Sequence, residues 1–261
     1  MLQVRNERGT LVYSRIKSKE ASEKIVYNTL TVPVRERFQL VLADGTKVFL
    51  NSGSEMRYPE RFGKARREVF LKGEAWFEVA KDSAREFWVH AGAMDVKVLG
   101  TSFNVKAYER LETVATTLVE GSVEVACAGK SFQIVPGEQF VYDKNNRVMD
   151  VRMVDTESYV SWKDGYYKFR QTTLEEIMET LSVWYGLNVF YVNESAKQVE
   201  FTGKVKRYED ARMLLDKFEQ TGDVVFDIKG NNVFITIKQK KPFAREWNSF
   251  LVKARGMVWQ S

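Results

Sequence analysis

Few side chains in this chain of 261 residues are of types that do chemistry, and their spacing decides what they are able to do. The one histidine, His90, stands in FWVHAG with no second histidine and no cysteine nearby. The usual donor set for zinc or iron is therefore missing, and His90 reads as a strand residue. The one cysteine, Cys127 in VEVACAGK, has no partner for an intramolecular disulfide and reads as a small buried residue at a strand end. Glu175 and Glu176 form an acid pair, but adjacent helical positions point in different directions, which suits capping and solubility better than acid–base work. A phosphate-binding loop, a dinucleotide fingerprint and a nucleophile elbow are all missing from the sequence. The expectation is a protein that is not an enzyme and holds no metal and no cofactor.

One chemistry escapes this test. Carboxylates that meet only in space leave no spacing signature, so a carbohydrate-cleaving β protein stays as the alternative. A carbohydrate-binding one joins it if Trp76, Phe77, Phe87 and Trp88 present their rings to solvent instead of filling a core. Charge argues against another class. Forty basic residues face 35 acidic ones, a net +5 interspersed along the chain, and no nucleic-acid reading motif accompanies it, so no nucleic-acid partner is expected. There is no run of eighteen apolar residues and the first twenty residues lack a signal-peptide core, so the piece reads as soluble.

The elements that would position any site come next. From Phe38 to about Asp150 short alternating runs are separated by turn signals: Asp44-Gly45, Lys72-Gly73, Glu120-Gly121, Pro136-Gly137 and Asn145-Asn146, each read as a hairpin. That density of turns predicts an all-β sandwich or jelly-roll-like stack. In MDVKVLGTSFNVKAY, Val96 and Val98 share one face, and Phe103, Val105 and Ala107 share another beyond Gly100, which reads as a bend.

After Trp162 the period changes. Thr173 and Glu176 have capping-box spacing, and Leu174, Ile177, Met178 and Leu181 make one helical face that Gly186 ends. Ala211, Leu214, Leu215 and Phe218 make a second, ended by Gly222, and Asn231-Asn232 turns a last hairpin. Strand, helix, strand, then strand, helix, strand, strand is a small α+β domain. Trp162, Tyr166, Tyr167, Phe169, Trp184 and Tyr185 should pack its first helix on its sheet. The predicted boundaries are a linker at 1–26 with a strand near Leu11 to Tyr13, a β domain at 27–155, an α+β domain at 160–238, and a basic tail at 239–261 without an assigned role. Exposed edge strands are a means of accepting a strand from a partner. The strands VEFTGKV and GNNVFITI are the candidates, with Val199, Phe201, Gly203, Val205, Val233, Ile235 and Ile237 as partner-binding positions.

Five ordered blocks, YNTLTVPVRERFQLVLADGTKVFLNSGSEMRYPERF, REVFLKGEAWFEVAKD, VKVLGTSFNVKAY, TTLVEGSVEV and VPGEQFVYD, followed by WKDGYYKFRQTTLEEIMETLSVWYGLNV, resemble the FecR family of anti-sigma factors, in its Bacteroidetes type. The resemblance spans about residues 27–238 and implies the periplasmic region of a single-pass protein on the periplasmic face of the inner membrane. It implies an extracytoplasmic-function sigma factor as partner of a cytoplasmic domain outside this chain, and a membrane helix likewise outside it. It implies that the C-terminal part is similar to the signalling domain of TonB-dependent transporters and secretins, and that such a transporter's signalling domain is the partner. Some FecR-like regulators cut themselves at a Gly-Thr bond, for which the matching bond here is Gly100-Thr101.

Overall fold

The computed structural model describes residues 2–7, 10–15, 25–207, 210–221 and 223–238, with the first two strands as backbone only. Its N-terminal part is a succession of strands: β1 (Leu2–Glu7), β2 (Thr10–Arg15), β3 (Tyr27–Thr31), β4 (Phe38–Val41), β5 (Lys47–Leu50), β6 (Glu55–Pro59) and β7 (Arg67–Glu78). They continue with β8 (Phe87–Ala91), β9 (Met94–Val98), β10 (Ser102–Ala107), β11 (Thr113–Glu120), β12 (Val123–Cys127), β13 (Lys130–Ile134), β14 (Glu138–Asp143) and β15 (Val148–Met153). Two sheets result. One, here sheet A, runs β1-β2-β4-β5-β7-β10-β11-β14-β15, and the other, sheet B, runs β3-β6-β7-β8-β9-β12-β13.

β7 belongs to both. Its first half pairs with β8 and β6, its second half with β10 and β5. The inward faces of both sheets enclose one core, in which Leu40, Leu50, Phe77, Phe87, Phe103, Val96 and Phe140 are fully buried. The mainly β expectation therefore holds, and the core explains it: strict alternation puts one side of each strand inside. Phe77 and Phe87 meet edge to face at 6.1 Å across the two sheets.

Three of the expected hairpins are not hairpins. Lys72-Gly73 lies inside the unbroken β7, while Glu120-Gly121 and Pro136-Gly137 carry the chain from one sheet to the other, since β11 does not pair with β12 nor β13 with β14. A positive-φ glycine redirects the backbone, but whether the chain returns to its own neighbour depends on where the next apolar face must go. Gly73, at φ 108°, is the elbow where β7 changes sheets, and a Cβ there would stand 2.4 Å from Ser54 Oγ. Asp44-Gly45 and Asn145-Asn146 do close hairpins, β4–β5 and β14–β15. Others were not foreseen: β8–β9 turns at Gly92, β10–β11 through residues 108–112, and β12–β13 at Ala128-Gly129, where both residues have positive φ.

The chain then makes a short helix α1 (Thr156–Val160) and a 3-10 turn at Ser161–Asp164, both missed by a reading that saw only a polar boundary. The C-terminal part continues as β16 (Tyr166–Thr173), α2 (Leu174–Tyr185), β17 (Asn188–Tyr191), β18 (Glu200–Lys206), α3 (Ala211–Thr221), β19 (Val224–Lys229) and β20 (Asn232–Ile237). The order is the one the periodicity predicts. Thr173 caps α2 by accepting from the Glu176 N–H, and Gly186 ends it in the left-handed region. The end of α3 at Gly222 lies outside the described residues. β16 pairs with β18, and β17-β20-β19 form a three-stranded sheet whose last turn is Gly230-Asn231, one residue earlier than expected. Among the described residues no helix is long and apolar enough to cross a membrane.

Candidate partner surface and inter-unit junction

Sequence reasoning placed the partner surface on alternate positions of β18 and β20. The structure turns most of those positions inward: β18 pairs with β16 and β20 with β17 and β19, and both strands face this set to one core. Val233 and Ile235 are fully buried, Phe201 is 8 % exposed, and Val199, Val205 and Ile237 pack against the same core. Only Gly203 is exposed. Moreover β20 is the central strand of its sheet, so it offers no free edge. The physical reason is the period of two: the apolar set chosen from sequence is the set that α2 and α3 cover, and the opposite set is one residue away.

That opposite set forms the candidate surface. Phe190 on β17 is paired in register with Phe234 on β20, and their rings stack at 5.1 Å. Phe190 is 47 % exposed, and Val192 and Val225 beside it are 62 % and 41 % exposed. Asp227 lies opposite Phe234 on β19, and Lys229 stands 5.5 Å over its ring. Among the described residues the two flanking strands, β17 and β19, each leave one edge unpaired in this sheet. An apolar aromatic face bounded by open backbone edges is the combination that strand addition uses.

The second feature is the seam between the β part and the C-terminal part. On the outer face of sheet A one row crosses five strand pairings in register: Phe49, Trp76, Asn104, Thr117, Gln139 and Arg152. Trp76 packs into the core of the C-terminal part, with Phe49 beside it. Polar members are satisfied as they go under. Gln139 Nε2 donates to Thr117 Oγ1 at 2.8 Å, and Asn104 Nδ2 donates to Glu74 Oε1 at 2.9 Å.

Around Glu74 the bonds close into a ring. Asn51 Nδ2 donates to Glu74 Oε2 at 2.7 Å; Arg207 Nη2 donates to Asn51 Oδ1; Arg207 Nη1 donates to the Trp162 carbonyl at 2.9 Å; and Trp162 Nε1 donates to Asn104 Oδ1 at 3.1 Å. Asn51, Glu74 and Asn104 belong to the β part, Trp162 and Arg207 to the C-terminal side of the seam. Arg207 is fully buried, with its guanidinium 3.7 Å from the Trp184 ring centroid. A buried carboxylate and a buried guanidinium are thus bridged by one asparagine, whose hydrogen bonds to both offset part of the cost of burying them. Nearby, Ser52 Oγ donates to the Val183 carbonyl at 3.2 Å and Tyr108 Oη to the Ser52 carbonyl at 2.8 Å. Burial, then the Glu74 charge, pushes the Tyr108 phenol well above its ordinary range, so it stays a proton donor.

Gly100 and Thr101 form a packed crossing between β9 and β10. A Cβ on Gly100 would meet Lys81 Cγ at 2.6 Å, while its φ lies outside the left-handed region. Thr101 is 5 % exposed, and its hydroxyl donates to the Ser122 carbonyl at 3.0 Å. His90 lies on the outer face of sheet B, with Nδ1 2.7 Å from Asp95 Oδ1, between Phe70 and Trp88. Among the described residues no cluster of three or more metal-ligating side chains occurs. Cys127 is buried, and burial pushes its thiol up. Trp76, Phe77 and Phe87 are buried, which removes three of the four rings from the carbohydrate-stacking alternative.

Comparison with known proteins agrees with this layout. The family model described as FecR protein matches residues 28–124, and the one described as FecR, C-terminal matches residues 166–235. Two crystal structures of a candidate anti-sigma factor from Parabacteroides distasonis are similar to the chain at 27 % identity. One has a TM-score of 0.74 and covers 81 % of this chain and 100 % of its own; the other has 0.73, 82 % and 100 %. No curated protein matches.

Proposed function

The chain belongs to the FecR family, and from that premise we propose that it is the sensor portion of a transmembrane anti-sigma factor on the periplasmic face of the inner membrane. Sigma-factor capture falls to a cytoplasmic part joined through a membrane helix. The partner on this side is the signalling domain of a TonB-dependent outer-membrane transporter, and the C-terminal unit, a strand-helix-strand arrangement used twice, is itself of that signalling-domain kind. The observation that carries the reading is the Phe190–Phe234 stack, with Phe190 exposed, between two strand edges left open among the described residues on the unit matched by the FecR C-terminal model. A transporter domain adding a strand to β17 or β19 would cover it, and the ring of Asn51, Glu74, Asn104, Trp162 and Arg207 gives the engaged unit a rigid grip on the β unit behind it.

Calorimetric titration with the isolated signalling domain of the transporter encoded beside this chain tests the proposal. Saturable binding that Phe190→Asp abolishes, with the fold retained at a stability cost of about 1–2 kcal/mol for the lost stack on Phe234, is the expected result. A folded transporter domain that does not bind would end this reading of the partner. For the Gly100-Thr101 bond we adopt the packed crossing over self-cleavage, since the Thr101 hydroxyl donates to the Ser122 carbonyl. Intact mass on long incubation should stay that of one species; two fragments divided between residues 100 and 101 would overturn this.

A further inference from the structure

β15 is the last strand of sheet A, and among the described residues no strand pairs with its outer side. Edges of this kind are usually blunted by a proline, a bulge or an inward-pointing charge. β15, with the sequence VMDVRM, has none of the three: its six residues run against β14 in unbroken register, and Met149 and Val151 are the ones packed on the core. Val148 and Met153, at its two ends, are 57 % and 70 % exposed.

The direction of its free backbone groups follows from one bond. The Val154 N–H donates to the Gly137 carbonyl at 2.9 Å, and in the β14–β15 register those two residues stand opposite each other, so they form a hydrogen-bonded pair. Alternation then commits the backbone of Arg152, Asp150 and Val148 to β14 and turns the N–H and C=O groups of Met149, Val151 and Met153 away from it. An added strand must pair through those three.

The side chains choose the register. A second β15, antiparallel across a two-fold axis, can match outward groups with outward groups over most of its length when centred on residue 150, 151 or 152. Centred on Asp150 it sets two carboxylates opposite each other, and centred on Arg152 two guanidiniums. Centred on Val151 it sets Asp150 of each copy opposite Arg152 of the other, and Met149 opposite Met153. Both charges are within reach of a neighbour. Asp150 is exposed and has no ion pair among the described residues. The Arg152 side chain is 46 % exposed, and its Nη2 meets Gln139 Oε1 and Glu176 Oε1 only at 3.4 and 3.5 Å.

We propose that β15 pairs with β15 of a second copy of this chain, antiparallel and centred on Val151, so that sheet A continues across a two-fold axis. The proposal does not depend on which partner the Phe190 face takes. A six-residue edge is small for an interface, so the dimer is reversible and forms with rising concentration. Sedimentation of the full chain over a concentration series tests it, with amide hydrogen exchange at both ends of the series. The mass should rise from that of one chain toward that of two. The amides of Met149, Val151 and Met153 should slow with it, while those of β17 and β19 stay as they are. Asp150→Arg sets like charges opposite each other on both sides of the axis and should weaken the dimer about tenfold or more, as should Arg152→Asp. The double variant Asp150→Arg/Arg152→Asp restores opposite charges in the same register and should recover the association. A single-chain mass throughout, association that leaves the three β15 amides unprotected, or a double variant no tighter than the single ones would each overturn the proposal. Protection gained at β17 or β19 instead would also overturn it, by placing the contact at the Phe190 face.

Discussion

The outer faces of the two β sheets each carry a row of side chains in unbroken cross-strand register, and they solve opposite problems. On sheet A the row is Phe49, Trp76, Asn104, Thr117, Gln139 and Arg152, and nearly all of it goes under the C-terminal unit. On sheet B the row is Glu68, Trp88, Lys97, Glu124 and Gln133, and it stays at the solvent. Both put a tryptophan on the face that alternation calls outward. The buried row uses neutral amides and hydroxyls that satisfy one another. The solvent row uses charges that do the same: Lys97 Nζ lies 2.6 Å from Glu124 Oε2 and 5.7 Å from the Trp88 ring centroid. An outward-facing residue is thus not a surface residue until the neighbouring unit is known.

The contrast is broken most severely at the ring that seals the buried row. Arg207→Ala leaves the Glu74 carboxylate buried without its bridged cation, and about 3–5 kcal/mol of stability should go. Urea unfolding should show that loss, along with two separated transitions where the parent has one. A matched pair of tryptophans sharpens the comparison next. Trp76→Ala empties a site in the C-terminal core and should cost about 3–5 kcal/mol, whereas Trp88→Ala on the solvent row should stay near 1 kcal/mol. Equal losses would mean that the seam contributes no more than a surface does.

The smallest effect belongs to the Lys97–Glu124 pair, about a quarter exposed on each side. A double-mutant cycle should give about 0.2–1 kcal/mol, reduced by salt. Its pH dependence has a definite sign. The hydrogen bond from Lys97, then that from Ser131, holds the Glu124 carboxyl below its ordinary value of 4.5. The stabilisation is therefore fully present above the unfolded value and is lost as pH falls through the lower folded one. A cycle repeated in that acidic window should show the coupling vanish.

How much of this could be read beforehand depends on the range of each interaction. The helices α2 and α3 and the strands between them were legible because periodicity and caps are local: Thr173, Glu176 and Gly186 announce both ends of α2 within its own sequence. Glycines announced bends but not destinations. Whether Gly121 and Gly137 turn a chain back or send it to the opposite sheet is decided by the core, which no stretch of ten residues contains. The exposure of the candidate partner positions on β20 was misjudged by one residue for a related reason. Val233 and Ile235 looked like strand positions worth exposing, and only the packing of α2 and α3 shows that Phe190 and Phe234 are the ones left outside. Arg67 was invisible altogether. It is fully buried, paired with Asp44 at 2.8 Å and donating to the carbonyls of Ala80 and Arg85, a set of partners scattered over forty residues.

β7 has a mechanical meaning as well as a topological one. Because a single covalent strand runs from its pairing with β8 in sheet B to its pairing with β10 in sheet A, the two sheets cannot rotate independently about their shared side. Gly73 sets the bend of that axle, and Ser54 packed against it leaves no room for a bulkier residue to change the angle. Torque applied at the seam, where Glu74 and Trp76 sit just past the elbow, would reach the far sheet through bonds rather than through contacts, with no play to take up.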